Sequence, residues 1–191
     1  MSRPAHVAPS PHRFTRQEYH RIGEAGLFAN ERVELLDGTI VTMSPQNSLH
    51  AGTVDQLQRL LVGVVRNTMR VRTQLPIVLD DWSEPEPDVA VCAPDAYGYT
   101  REHPKASSVV LVCEVAGSSL AHDRSAKAAA YAGSGVAEYW IVDVENRVIH
   151  ILSDPDQAER RYRRERQIRD GEVLPALGAG TLAVSEILPP L

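Results

Sequence analysis

The period of the apolar positions changes several times along the chain, and each change predicts an element. TRQE, at Thr15 to Glu18, has the spacing of a capping box, in which the Thr and Glu side chains satisfy free helix-end amides; a short helix should follow and stop near Gly23. RVELLDGTIVTMS places apolar runs on either side of Asp37-Gly38, a pair that readily supplies the positive φ of a tight hairpin turn. Between Asn47 and Arg70 the residues Val54, Leu57, Leu61, Val64 and Val65 form one apolar stripe at helical spacing, predicting the longest helix. Strands are predicted at Val71 to Leu79 and Asp88 to Ala93, parted by the Pro-broken DDWSEPEP, and a third at Val109 to Val115. A helix at about His122 to Ala132 ends at Gly133 and Gly135, and EYWIVDVENRVIHIL reads as a hairpin turning near Glu145-Asn146. The rest, RRYRRERQIRDGEVLPALGAGTLAVSEILPPL, alternates poorly and predicts one or two edge strands and a tail. Strands, a helix and further strands predict an α/β domain, a mixed β-sheet flanked by helices.

Composition narrows this. A chain of 191 residues suits one domain, taken here as residues 14–191 behind a Pro-rich arm at 1–13. No apolar run approaches the roughly twenty residues of a membrane span, and the N-terminus lacks the apolar core of a secretory signal, so a cytoplasmic location is expected. Cys92 and Cys113 lie in Val-rich runs and read as buried, reduced residues, which argues against a disulfide framework or a cysteine metal site. A net charge of -5 argues against a generally basic protein that coats nucleic acid, while leaving room for a local basic groove. GAGT, at 178–181, lacks the lysine and helix of a phosphate loop.

The chemistry gathers around Glu114. It interrupts an apolar strand, VVLVCEV, where an unpaired charge is costly. Asp88 opens the neighbouring strand DVAVCA, so pairing of the two strands would bring two hard oxygen ligands together, a set suited to magnesium. Asp123, Lys127 and Tyr131 follow an i, i+4, i+8 pattern on one helix face. Turned toward Glu114, that face supplies an ammonium group beside two carboxylates, with Asp123 to orient it; these are the parts needed to hydrolyse a phosphodiester.

The same residues carry a resemblance. PEPDVAVCAP, LVCEVAGSSLAHDRSAKAAAYAGSGVAEYWIVD and RVELLDGTIVTMSPQNSLHAG together resemble the Uma-two endonuclease family, a branch of the PD-(D/E)XK nuclease superfamily with the restriction-endonuclease-like fold. The similarity runs from about Phe14 to the C-terminus. It implies Asp88 as the motif aspartate, Glu114 as the second acidic ligand, Mg2+ or Mn2+ as cofactor, DNA as substrate and, by analogy, a homodimer. The superfamily lysine two residues after the glutamate is absent, Ala116 standing there, and Lys127 on the following helix matches the family's relocated lysine.

Plainer readings stand beside these. Asp88 suits a strand start, Glu114 a structural ion pair with an arginine, and Lys127 a solvated helix face. Glu34 resembles the family's upstream acidic position and could bind metal or water; equally, it suits an exposed hairpin. His50 could contact phosphate or shuttle a proton, or cap the long helix. Tyr131 and Trp140 read as packing residues. In ERRYRRERQIR the arginines could grip phosphates, but their alternation with glutamates also suits a protected edge strand. Two functional classes follow: a metal-dependent endonuclease, or a non-catalytic nucleic-acid- or protein-binding module on the same fold.

Overall fold

The computed structural model describes residues 10–178 and 180–188; most of the expected N-terminal arm (1–9) and the end of the tail (189–191) lie outside the described residues. Helix α1 (Arg16–Glu24) starts with the capping box read from the sequence: Thr15 Oγ1 accepts the Glu18 N–H and Glu18 accepts the Thr15 N–H. Strands β1 (Val33–Leu36) and β2 (Thr39–Thr42) form the predicted hairpin, with Asp37 at φ +50° and Gly38 at φ +76°. Gly38 is required twice over, because a Cβ there would also stand 2.7 Å from that of Arg13. Asn47 caps helix α2 (Ser48–Val65) by accepting the His50 N–H, and Arg66, in the left-handed region, ends the helix short of Arg70.

The main sheet contains β3 (Arg70–Thr73), β4 (Val89–Cys92), β5 (Val109–Ala116), β6 (Glu138–Asp143), β7 (Val148–Asp156) and β8 (Arg161–Arg169), in that spatial order. All neighbours are antiparallel except β5 and β6, whose parallel pairing needs a crossover. That crossover is α3 (120–133), built from α-helical Leu120–His122, π-helical Asp123–Lys127 and α-helical Ala128–Gly133. A small hairpin, β9 (Val173–Pro175) and β10 (Thr181–Ala183), and a last turn, α4 (Val184–Ile187), close the described chain. The result is a mixed α/β sheet flanked by helices.

Two apolar layers hold it. On one face α2 and α4 pack Leu57, Leu61 and Ile187 with Val91, Leu111, Trp140 and Ile149. On the other, Tyr131 of α3 packs with Ile77, Val112, Tyr139 and Ile141. Both cysteines are buried and free, and Trp140 is core. Burying the six aliphatic residues named in the first layer contributes about 1.5–3 kcal/mol apiece.

Two expectations are corrected. The strand predicted at Val71 to Leu79 ends at Thr73, because Gln74 turns to φ +51° and Pro76 has no N–H to give a ladder. The poorly patterned C-terminal part has the expected edge strand, the mostly exposed nine-residue β8, but also the β9–β10 hairpin, so it holds three strands rather than one or two. The arginines of β8 are held by neighbours: Arg163 meets Asp154 and Asp156, and Arg164 meets Asp154. Among the described residues no helix is long and apolar enough to cross a membrane.

Candidate active site

At the C-terminal end of β5 a cavity of about 460 Å³ is lined by Glu34, His50, Asp88, Glu114, Asp123 and Lys127, all six residues singled out in the sequence. They come from five separate elements or their flanks. Asp88 directly precedes β4 and Glu114 lies in β5; Val89 pairs with Cys113, so the next residues along, Asp88 and Glu114, meet. Each carboxylate holds backbone of the other's strand region: the Asp88 N–H donates to Glu114 Oε2 (3.3 Å), and the Val115 N–H donates to Asp88 Oδ2 (2.8 Å).

Lys127 is the hub. Its Nζ lies 2.9 Å from Glu114 Oε1 and 3.2 Å from Glu34 Oε1, and all three residues are buried. The Tyr131 hydroxyl also donates to Glu114 Oε1, at 2.8 Å, so this packing residue belongs to the site as well. Glu34 is only 2% exposed, which removes the exposed-hairpin reading, and its Oε2 accepts the Glu86 N–H. His50 both follows the Asn47 cap and places Nε2 3.0 Å from Asp88 Oδ1. Asp123 is buried, with Oδ2 accepting from Ser119 Oγ at 2.7 Å.

The π-helical segment sets this geometry. The Ala128 N–H reaches back five residues to the Asp123 carbonyl, inserting one residue into the helical turn between Asp123 and Lys127. Such π-bulges recur at functional sites because they re-aim side chains without ending the helix. Here both flanking charges turn inward, with Asp123 3% and Lys127 6% exposed.

Electrostatics follows from four buried carboxyl groups around one buried ammonium. Burial pushes Glu114 up to about 8, Lys127 opposing and the neighbouring carboxylates adding. Burial alone would lower the Lys127 pKa, but Glu114 and Glu34 outweigh it and hold the ammonium charged. Asp88 moves the other way: burial raises it, yet the His50 hydrogen bond and charge, with the Val115 N–H, bring it below its ordinary value. Asp123 is raised, chiefly by burial.

A count of acceptor positions shows where a cation could be held. Each carboxylate oxygen offers about two. Asp88 Oδ1 meets His50 and, at 3.3 Å, Gln74 Nε2; Glu114 Oε1 meets Lys127 and Tyr131. One position remains on Asp88 Oδ2 and one on Glu114 Oε2. No group of three or more His, Cys, Asp or Glu side chains has metal-ligand spacing among the described residues. The donor set therefore fits an ion that takes two hard oxygens from protein and the rest from water.

Sequence reasoning missed Gln74 and Ser119. Gln74 lies in what looked like a continuing strand, and nothing in the pattern marks its left-handed backbone. Ser119 lies in AGSS, the short stretch between the Glu114 strand and the following helix, where nothing in the pattern marks it.

The mixed sheet, its parallel β5–β6 pair and the buried carboxylate–lysine centre define a restriction-endonuclease-like α/β protein. The chain belongs to the family described as "Uma2: Putative restriction endonuclease", whose model matches residues 16–185. Its fold is similar to that of a "putative nuclease belonging to DUF820" from Anabaena variabilis ATCC 29413, known from a crystal structure. The two share 13% identity, a TM-score of 0.67, and coverage of 91% of this chain and 97% of the other. No curated protein matches the chain.

Proposed function

We propose that the protein is a metal-dependent endonuclease of PD-(D/E)XK type that hydrolyses DNA phosphodiester bonds. The observation that carries this reading is the pair of spare acceptor positions, on Asp88 Oδ2 and Glu114 Oε2, beside a buried, charged Lys127. Asp88 and Glu114 would hold Mg2+ or Mn2+; the bound ion would lower the pKa of a water and polarise the phosphate. Glu34, the possible third ligand, also holds Lys127 at 3.2 Å through Oε1 and keeps an acceptor position on each oxygen.

The chain's own groups supply the rest. Lys127 presents a fixed positive charge to the pentavalent transition state, where the phosphoryl oxygens gain charge, and its two carboxylate partners fix its position beforehand. His50 Nε2 lies 3.0 Å from Asp88 Oδ1; with Nε2–H donated there, Nδ1 would be the ring atom to take a proton from the attacking water. Asp123 and Ser119 brace the helix segment that carries Lys127.

The test is cleavage of supercoiled plasmid and of single-stranded DNA by purified protein with Mg2+ or Mn2+, beside Asp88→Asn, Glu114→Gln and Lys127→Met. Cleavage by wild type, lost in folded variants and on chelation, is expected. Absence of cleavage, or equal cleavage by the variants, would transfer the fold to the binding-module reading. In that case Asp88→Asn should leave nucleic-acid or protein affinity intact.

A further inference from the structure

A second cavity, of about 350 Å³, opens between the start of α1 and the segment joining β4 to β5. It shares no lining residue with the Asp88 cavity. Arg16, Arg101, His103 and Lys105 line it with Glu102, on a chain whose net charge is -5. Its polarity is thus locally reversed.

Behind its wall two nitrogens lack partners, His103 Nδ1 and Arg72 Nε; both atoms are buried, and Arg72 is not a lining residue. Burial, assisted by the nearby Arg72 charge, holds the His103 pKa below its ordinary value, so the ring is neutral near pH 7. The Arg72 guanidinium rests 5.4 Å from the centre of the Tyr99 ring, and its Nε–H can only donate. Arg101 stacks on Tyr97 at 3.4 Å, which engages its face and leaves its planar N–H edge for another group. Nearby acids are already engaged: Glu84 by Arg16 (2.6 Å) and His20 (3.0 Å), and Glu102 by Lys105 (3.3 Å). The lining thus carries three cations, Arg16, Arg101 and Lys105, against one acid, Glu102.

The wall itself is strained. Tyr99, a bulky residue, sits at φ +62° beside Gly98 at φ +63°, while Asp95 Oδ1 accepts the N–H groups of Tyr97 and Tyr99 and holds the loop in place. Bulky residues rarely adopt this region, and such strain collects at ligand clamps.

We propose that this cavity binds a phosphate or phosphate monoester or diester, clamped by Arg101 and Lys105 with Arg16 on the same wall. The ligand could be a small phosphorylated molecule or the backbone of a nucleic acid; the chemistry recognised is the same. The proposal does not rest on the nuclease reading.

The test is titration of the full chain with inorganic phosphate at fixed ionic strength, followed by the backbone amide signals of residues 97–103 and 105. The variants are the double substitution Arg101→Ala with Lys105→Ala, both at exposed positions, and Asp88→Asn as a control for the other cavity. Saturable binding is expected, unchanged in Asp88→Asn and at least about tenfold weaker in the double variant, since two charge-assisted contacts are lost. Displacement of phosphate by a short single-stranded oligonucleotide would identify the backbone of nucleic acid as the source; failure to displace it would identify a small phosphorylated ligand. Absence of saturable binding, or equal affinity in wild type and the double variant, would overturn the proposal.

Discussion

Glu114 is the residue on which the site turns. Its folded-state pKa of about 8 exceeds the ordinary 4.5, so between those values the folded chain keeps a proton that the unfolded chain has lost. Stability should therefore fall as pH rises through that window and flatten above it. Thermal unfolding of chelator-treated protein should show a lower Tm at pH 8 than at pH 6. Glu114→Gln, which mimics the neutral acid and keeps an oxygen for Lys127 and Tyr131, should reduce that difference while abolishing cleavage. Lys127→Met is expected to cost about 3–5 kcal/mol, because it strands two buried carboxylates. Urea unfolding measures this directly. Lys127 also shows how far the sequence could be read. The i, i+4 spacing placed it near Asp123, but only the docking of the separate β1–β2 hairpin places it on Glu34, 93 positions away by residue number.

At the scale of the element, two helical irregularities carry separate predictions. Arg66 closes α2 in the left-handed region, at φ 45°, where a side chain is strained and glycine is not. Arg66→Gly should raise stability by about 0.5–1 kcal/mol, read as a Tm increase of about 1–4 °C. The π-bulge of α3 was invisible in the sequence, because AHDRSAKAAAY reads equally well as plain α-helix. Its existence depends on tertiary demands: Asp123 must meet Ser119 while Lys127 meets Glu114, and an unbroken helix would swing one of them away. Deleting the exposed Ser125 should restore i to i+4 bonding. Far-UV circular dichroism should then stay close to wild type, while cleavage falls by about a hundredfold through misplacement of Lys127.

Across the whole molecule, the capping box, the Asp37-Gly38 hairpin and the strand of Glu114 were legible because each rests on local chemistry. The early end of β3 was not, since Gln74 owes its conformation to a contact with Asp88 rather than to its neighbours in sequence. The arginine run was legible only as an alternative. Its placement on an edge strand, with Arg163 and Arg164 opposed by Asp154 and Asp156, favours edge protection. Reversing both to glutamate should lower Tm slightly and leave the slope of log Kd against log salt for DNA unchanged. A slope reduced by about one per arginine would instead make them phosphate contacts.

The lone parallel junction of the sheet, β5 against β6, also has a kinetic side. Glu34, Asp88, Glu114 and Lys127 are held apart until the crossover has closed and strands distant in sequence have found their register. Such non-local closure comes late and slowly in folding. A chain still emerging from the ribosome carries these charges singly in water, with no assembled centre among them. On the proposed nuclease reading, activity would switch on in one step, at the end of folding, and an unfinished copy would be inert toward DNA.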